Sequence, residues 1–193
     1  MKRILVIVLL LVTLFTFSGC QSTTKFVASK DFEKLIFEAP TDTIDDIVYH
    51  STICLRIRIT GQGVEKYCEA AADIALEEKT GEDISGYMIT QYPIEVLETY
   101  YNDTGEEISE ICQLGPAEDV WETKVKDGKE YIVFLFKSAD GFGTSPREKG
   151  IYQINEDGTI YAYSDVKGLC VYDGKDYKKL AEKIVEASAT RMK

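Results

Sequence analysis

Ile53-Cys54-Leu55-Arg56-Ile57-Arg58-Ile59-Thr60 decides the class of fold. Isoleucine or leucine holds every odd position, while the even positions carry Cys54, Arg56, Arg58 and Thr60. Successive side chains of a strand point to opposite faces, so one face of this strand is apolar and the other wet. That pattern belongs to a half-buried, antiparallel sheet. Its counterpart is Tyr131-Ile132-Val133-Phe134-Leu135-Phe136, which lacks alternation. A strand over 130–137 with such a run is central and covered on both faces.

Other strands extend outward from these two. Residues 87–100 form a second strand, with Met88, Thr90, Tyr92, Ile94 and Val96 on one face. Pro93 cannot donate to a ladder, so an edge or a bulge is expected there. After a turn at 102–105, residues 108–114 give a third strand. Residues 150–165 read as a hairpin around Asn155-Glu156-Asp157-Gly158, with Gly158 supplying the positive φ such a turn wants. Residues 138–149 read as a glycine-containing loop and 169–172 as a further short strand. Residues 117–125 are ambiguous, with Trp121 packing over one end of the core.

Helices fill the gaps. Thr43-Ile44-Asp45-Asp46 opens a short helix to about Tyr49, with Thr43 as N-cap and Asp46 three residues on. Residues 31–39 carry a helical spacing stopped by Pro40. Residues 64–79 read as a helix with Val64, Tyr67, Cys68, Ala71, Ile74 and Ala75 on one side. Asp173-Gly174-Lys175-Asp176 leads into a last helix to about Thr190, with Tyr177, Leu180, Ala181, Ile184 and Val185 as its buried stripe. The expected fold is α+β: a mostly antiparallel, barrel-like sheet with flanking helices, one of them C-terminal.

The chain has 193 residues, enough for one sizeable core without dependence on disulfides. Twelve tyrosines against four prolines favour an ordered, strand-containing domain. The net charge of −11 repels phosphate backbones, which excludes nucleic acid as a partner. It equally disfavours adhesion of the protein body to anionic lipid.

The first twenty residues supply a different route to the membrane. Lys2 and Arg3 precede an uncharged run from Ile4 to Phe17, and Ser18-Gly19-Cys20 follows. This is the layout of a secretory signal, too short to span about 30 Å of hydrocarbon. Phe17-Ser18-Gly19-Cys20 resembles a bacterial lipobox, with Phe17 where leucine is usual. The resemblance implies a diacylglyceryl group on the Cys20 sulfur, cleavage before Cys20 and a stable hold through acyl chains such as palmitate. It divides the chain into a signal peptide at 1–19, a lipidated cysteine and tether at 20–30, and a single globular extracytoplasmic domain at 31–193. Export permits disulfides, and Cys54, Cys68, Cys112 and Cys170 allow three complete connectivities.

The order of elements over 43–60, 87–114 and 127–165 resembles a loose group of bacterial membrane lipoproteins with a small OB-like β-barrel. These stretches cover about half of the mature chain, and they match as apolar patterns rather than catalytic signatures. OB-like barrels include the netrin-like domains of metalloproteinase inhibitors, which use a free N-terminal cysteine. Here that terminus carries the lipid, so no inhibitory role transfers.

Candidates for chemistry are few. His50 is the one histidine, and no Gly-x-Ser-x-Gly motif accompanies it. A Cys/His pair with one of the four cysteines competes with a capping or partly buried histidine, which the sequence favours. Asp45-Asp46, Glu77-Glu78 and Glu106-Glu107 are adjacent carboxylates that do not share a helix face, so they read as solvated surface. Asn155-Glu156-Asp157-Gly158 lacks the ligand series of a calcium loop, and Gly61-Gln62-Gly63 lacks the third glycine of a dinucleotide fingerprint. Residues 174–193 are net basic and suit a solvated face, docking on the acidic body, or proximity to lipid headgroups.

No catalytic, cofactor-binding or metal-ligating residue is assigned; lipidation of Cys20 is the one assigned site. The function expected is a membrane-anchored extracytoplasmic binding or interaction module without catalysis, held by its lipid and engaging a protein or envelope ligand. The alternatives are a surface hydrolase using acidic residues and a structural envelope protein. Tyr152, Tyr161 and Tyr163 on the hairpin, with the loop before it, are the first place to look for a binding face, because tyrosine joins contact area to hydrogen bonding.

Overall fold

The structure, a computed structural model, describes residues 42–68, 87–117, 124–138, 141–144 and 149–191. Its elements in chain order are α1 (Ile44–His50), β1 (Ile53–Ile59), β2 (Val64–Cys68), β3 (Tyr87–Asn102), β4 (Glu110–Leu114), β5 (Glu130–Ser138), β6 (Gly141–Thr144), β7 (Ile151–Ile154), β8 (Ile160–Ala162) and α2 (Tyr177–Arg191). A 3₁₀ turn, Cys170–Tyr172, precedes α2. The expected helix at 31–39, the rest of the expected helix after Cys68, Trp121 and the expected leader with Cys20 lie outside the described residues.

Five strands close on themselves in the order β1-β3-β4-β6-β5, with β5 returning to β1. Every pairing in this ring is antiparallel except β4 with β6. The fold is therefore α+β, a closed five-stranded, OB-like barrel with added strands and a C-terminal helix. Closure hides the strand edges that an open sheet would leave to other chains. Strands β3 and β5 are long enough to change partner along their length. Strand β3 pairs with β2 over its first half and β1 over its second, and Pro93 falls at the changeover, where a ladder donor is dispensable. Strand β5 pairs with β7 over Glu130–Val133 and with β6 from Leu135 onward. Strand β8 then extends the sheet beyond β7.

The alternation in β1 has its expected consequence. Ile53, Leu55, Ile57 and Ile59 fill the barrel interior with Tyr131, Val133 and Leu135. The even face is split: Arg56 and Arg58 reach solvent, whereas Cys54 is fully buried. Cys54 joins Ile132, Phe134 and Tyr152 in a second core that packs under Ile47 of α1 and Leu180 and Ile184 of α2. Residues 131–135 of β5 are buried on both faces, as their unbroken apolar run predicts.

Helix α1 begins with the expected capping box. Asp46 N–H donates to Thr43 Oγ1 at 3.2 Å, and Thr43 N–H donates to Asp46 Oδ2 at 3.0 Å. Asp176 directly precedes α2, and its Oδ1 accepts from Lys178 N–H at 2.9 Å. Two cations of α2 dock it against the rest of the domain. Lys183 pairs with Asp45 at 2.8 Å, and Arg191 pairs with Asp103 at 2.5 Å while donating to the Val48 carbonyl at the end of α1.

Five expectations need correction. Val64–Cys68 is a strand rather than the start of a helix: its apolar residues have helical spacing, but β3 offers it a ladder from Val64↔Gln91 to Cys68↔Tyr87. The expected loop at 138–149 contains β6, which forms because closure needs a strand between β4 and β5. Residues 169–172 form no strand; Leu169 is buried and Cys170–Tyr172 turns toward α2. The buried stripe of α2 runs Leu180, Ile184, Ala187, and Val185 is exposed. Val96 is exposed although its β1 partner Ile57 is buried, so it does not share the burial of Tyr92.

Candidate functional site

The β7–β8 hairpin carries the candidate site. Its turn is the one expected, with Gly158 at φ +81° and Asp157 Oδ1 accepting from the Thr159 N–H at 2.9 Å. The register pairs Tyr152 with Ala162, Gln153 with Tyr161 and Ile154 with Ile160. Tyr152, Ile154, Ile160 and Ala162 all enter the core beneath the helices. The opposite parity carries Ile151, Gln153 and Asn155 on one arm and Thr159, Tyr161 and Tyr163 on the other; Ile151 is fully buried in the barrel interior and Tyr163 packs against it, while Gln153, Asn155, Thr159 and Tyr161 reach solvent and make the outer face.

A run of hydrogen bonds fixes this face. Tyr163 Oη donates to Gln153 Oε1 at 3.0 Å, Gln153 Nε2 donates to Asn155 Oδ1 at 3.5 Å, and Asn155 Nδ2 donates to Thr159 Oγ1 at 3.0 Å. The Tyr161 and Tyr163 rings meet edge to face with centroids 5.5 Å apart. Tyr163 then meets Tyr131, whose ring belongs to the barrel interior, at 6.1 Å. Burial pushes the Tyr131 hydroxyl above its ordinary value. Tyr161 is 53 % exposed, so an aromatic ring is presented to solvent on a base anchored in the barrel. The hydrogen bonds among the groups around it lower the cost of ordering them around a ligand.

Of the three hairpin tyrosines singled out from sequence, Tyr161 and Tyr163 share this face and Tyr152 does not. Tyr152 is a core residue whose hydroxyl donates to the Leu169 carbonyl at 3.1 Å, and burial raises it well above the usual tyrosine range. Gln153, Asn155 and Thr159 were missed. The available signal was the two-residue period on either side of the turn.

The other candidates come apart. His50 is exposed at the end of α1, with its ring against Tyr49 at 5.0 Å. Cys54 is fully buried, and desolvation pushes its thiol up, the reverse of what a nucleophilic thiolate needs. Cys112 is buried beside Ile89 and is pushed up by the same cause. Asp45 and Asp46 serve Lys183 and the helix cap, and Glu106 pairs with Lys137. Glu77 and Glu78 lie outside the described residues. Gly61-Gln62-Gly63 leads into β2, a strand, where a dinucleotide site would need a helix N-terminus.

One charged cluster lies on the outer face of β1. Glu130 bridges Arg56 and Arg58, each at 2.7 Å, and Arg58 also pairs with Glu95 at 2.8 Å. Hydrogen bonds from Arg56 and Arg58 hold the Glu130 carboxyl below the usual carboxylate range. Arg56 in turn lies over the Tyr177 ring at 4.8 Å. The cluster is internally matched and ties the barrel to the start of α2. Among the described residues no helix is long and apolar enough to cross a membrane.

The chain matches no protein-family model and no curated protein.

Proposed function

We propose that the protein is a lipid-anchored, extracytoplasmic binding module that engages its ligand on the outer face of the β7–β8 hairpin, without a catalytic step. The observation that carries this reading is the half-exposed Tyr161 ring among fixed hydrogen-bonding side chains. The address comes from sequence: the signal at 1–19 ending at the lipobox-like Phe17-Ser18-Gly19-Cys20. The acidic body needs acyl chains to stay at an anionic bilayer, and two chains suffice where one does not.

The test joins both halves. The protein is expressed at the cell surface with a photoreactive benzoylphenylalanine at Tyr161 or, as control, at Val185 of α2, which is equally exposed at 53 %. Crosslinking to envelope material from position 161 and not from 185 is expected. Equal yield from both positions, or none from either, overturns the hairpin as the binding face. Mass spectrometry of the N-terminal peptide is expected to show a diacylglyceryl-modified Cys20 and loss of membrane retention in Cys20→Ala. An unmodified Cys20 in the wild type overturns the anchor.

A further inference from the structure

We infer that the ligand of the hairpin face is a neutral carbohydrate, a short stretch of uncharged glycan; this rests on the proposal that the face binds at all. The first argument is charge. Beyond the buried Ile151, this parity of the hairpin reads Gln153, Asn155, Thr159, Tyr161, Tyr163, without an acid or base that ionises at ordinary pH. Charged ligands are recognised by opposite charge, because a desolvated ion without a partner is costly. The charges around the turn are anionic or have partners: Asp176 lies opposite Thr159, and Lys175 beside it stands over the Tyr172 ring. Asp157 accepts from both Thr159 N–H and Thr159 Oγ1, and Glu156 lies within 4.0 Å of Lys129. A phosphate, sulfate or uronate would meet the carboxylates of Glu156 and Asp157 here, with no cation on the face itself.

The second argument is the kind of group on offer. A pyranose ring presents C–H bonds on its faces and hydroxyls around its rim. A tyrosine ring supplies the flat apolar surface that a C–H face covers. Amides and hydroxyls can both donate to and accept from sugar hydroxyls. Gln153 and Asn155 each commit one amide hydrogen within the face and keep the second for a ligand. The internal bonds hold both amides in place, as a specific sugar site requires.

The third argument is size. Strands β7 and β8 are four and three residues long. At about 3.4 Å per residue and ~5 Å between strands, their outer face measures roughly 10 by 10 Å. A stable protein interface needs about 800 Å² per partner. The face is several times too small for that and is matched to a short oligosaccharide.

The experiment uses the full chain in a sugar-free amine-oxide detergent, titrated calorimetrically with tetramers of glucose, mannose and N-acetylglucosamine, and with heparin as the anionic control. Saturable binding to at least one neutral tetramer is expected, weakened about tenfold or more in Tyr161→Ala. Tyr161→Phe, which keeps the ring, is expected to stay close to wild type. Affinity is expected to be unchanged between low and high salt, because no ion pair forms. Preference for heparin, a salt-dependent affinity, or equal affinity in Tyr161→Ala overturns the inference. Position-specific crosslinking from Tyr161 to a protein, with no tetramer bound, overturns the glycan and leaves the binding face standing. Absence of both binding and position-specific crosslinking overturns the two together.

Discussion

Gly150→Ala tests the packing between α1 and the barrel. Gly150 has φ +85°, and a Cβ built there would lie 2.4 Å from Ile47 Cδ1 and 3.1 Å from Phe134 Cβ. Both neighbours are fully buried, so neither can swing into solvent. Gly158→Ala is the control: its φ is +81°, and a Cβ there meets nothing within 4 Å. The backbone term is common to both variants. A non-glycine residue in the left-handed region costs about 1–2 kcal/mol, and loss of unfolded-state freedom returns about 0.4–1 kcal/mol. Gly158→Ala is therefore expected to destabilise by about 1 kcal/mol. Gly150→Ala adds overpacking, typically about 1–3 kcal/mol, for a total of about 2–4 kcal/mol. Adding Ile47→Val deletes the nearest obstacle. Alone it costs about 0.5–1.5 kcal/mol, but combined with Gly150→Ala the two should fall short of additivity by about 0.5 kcal/mol or more. Rescue is partial because Phe134 Cβ stays in place. The assay is urea unfolding at constant m-value. Equal losses in Gly150→Ala and Gly158→Ala, or strict additivity with Ile47→Val, would refute the close approach of α1 to β5.

Phe134→Ala is expected to destabilise by about 3–5 kcal/mol and Leu135→Ala by about 2–5 kcal/mol, since both side chains are fully buried; a change under about 0.5 kcal/mol in urea unfolding, the level of a surface site, would contradict the two-sided core. Glu130→Gln should lower stability at neutral pH, and the gap to wild type should close in acid. Glu130 has its carboxyl lowered in the fold by Arg56 and Arg58. Its contribution is therefore whole above the unfolded value of about 4.3 and is lost as pH falls through the folded value. A gap that stays constant from neutral pH through acid would contradict the bridging role.

Much of the fold was legible because its decisive strands differ in pattern. In β1 the alternation of isoleucine with arginine marks one buried face, and in β5 the unbroken apolar run marks two. Helix α1 announced itself through Thr43 and Asp46, which bond each other as the capping pattern requires. The misreadings share a cause: tertiary pairing overrode local pattern. Val64, Tyr67 and Cys68 have helical spacing, yet Val64 and Tyr67 are exposed at 65 % and 51 % and the backbone is a strand. What made them a strand was the open flank of β3, tens of residues away in sequence. Strand β6 is weaker still by local pattern, since Gly141-Phe142-Gly143-Thr144 alternates glycine with anything. Its pairing comes from β5 on one side and a single parallel bridge, Cys112↔Gly143, on the other.

The hairpin face shows the same division between what a pattern states and what only a fold can choose. Tyrosines occupy both parities of the hairpin, Tyr152 on one and Tyr161 and Tyr163 on the other. A tyrosine count therefore cannot say which parity is the surface. Ile154 and Ile160, cross-strand partners on either side of the turn, decide it: they need burial, and Tyr152 shares their side. Once that side lies beneath the helices, Gln153, Asn155, Thr159, Tyr161 and Tyr163 share the other, which is closed by the barrel at Ile151 and opens to solvent toward the turn. In a chain with 28 % charged residues, an outer face serving only solubility has every reason to carry charge. This one carries amides, a hydroxyl and two phenols instead, bonded to each other and backed by Tyr131 of the barrel.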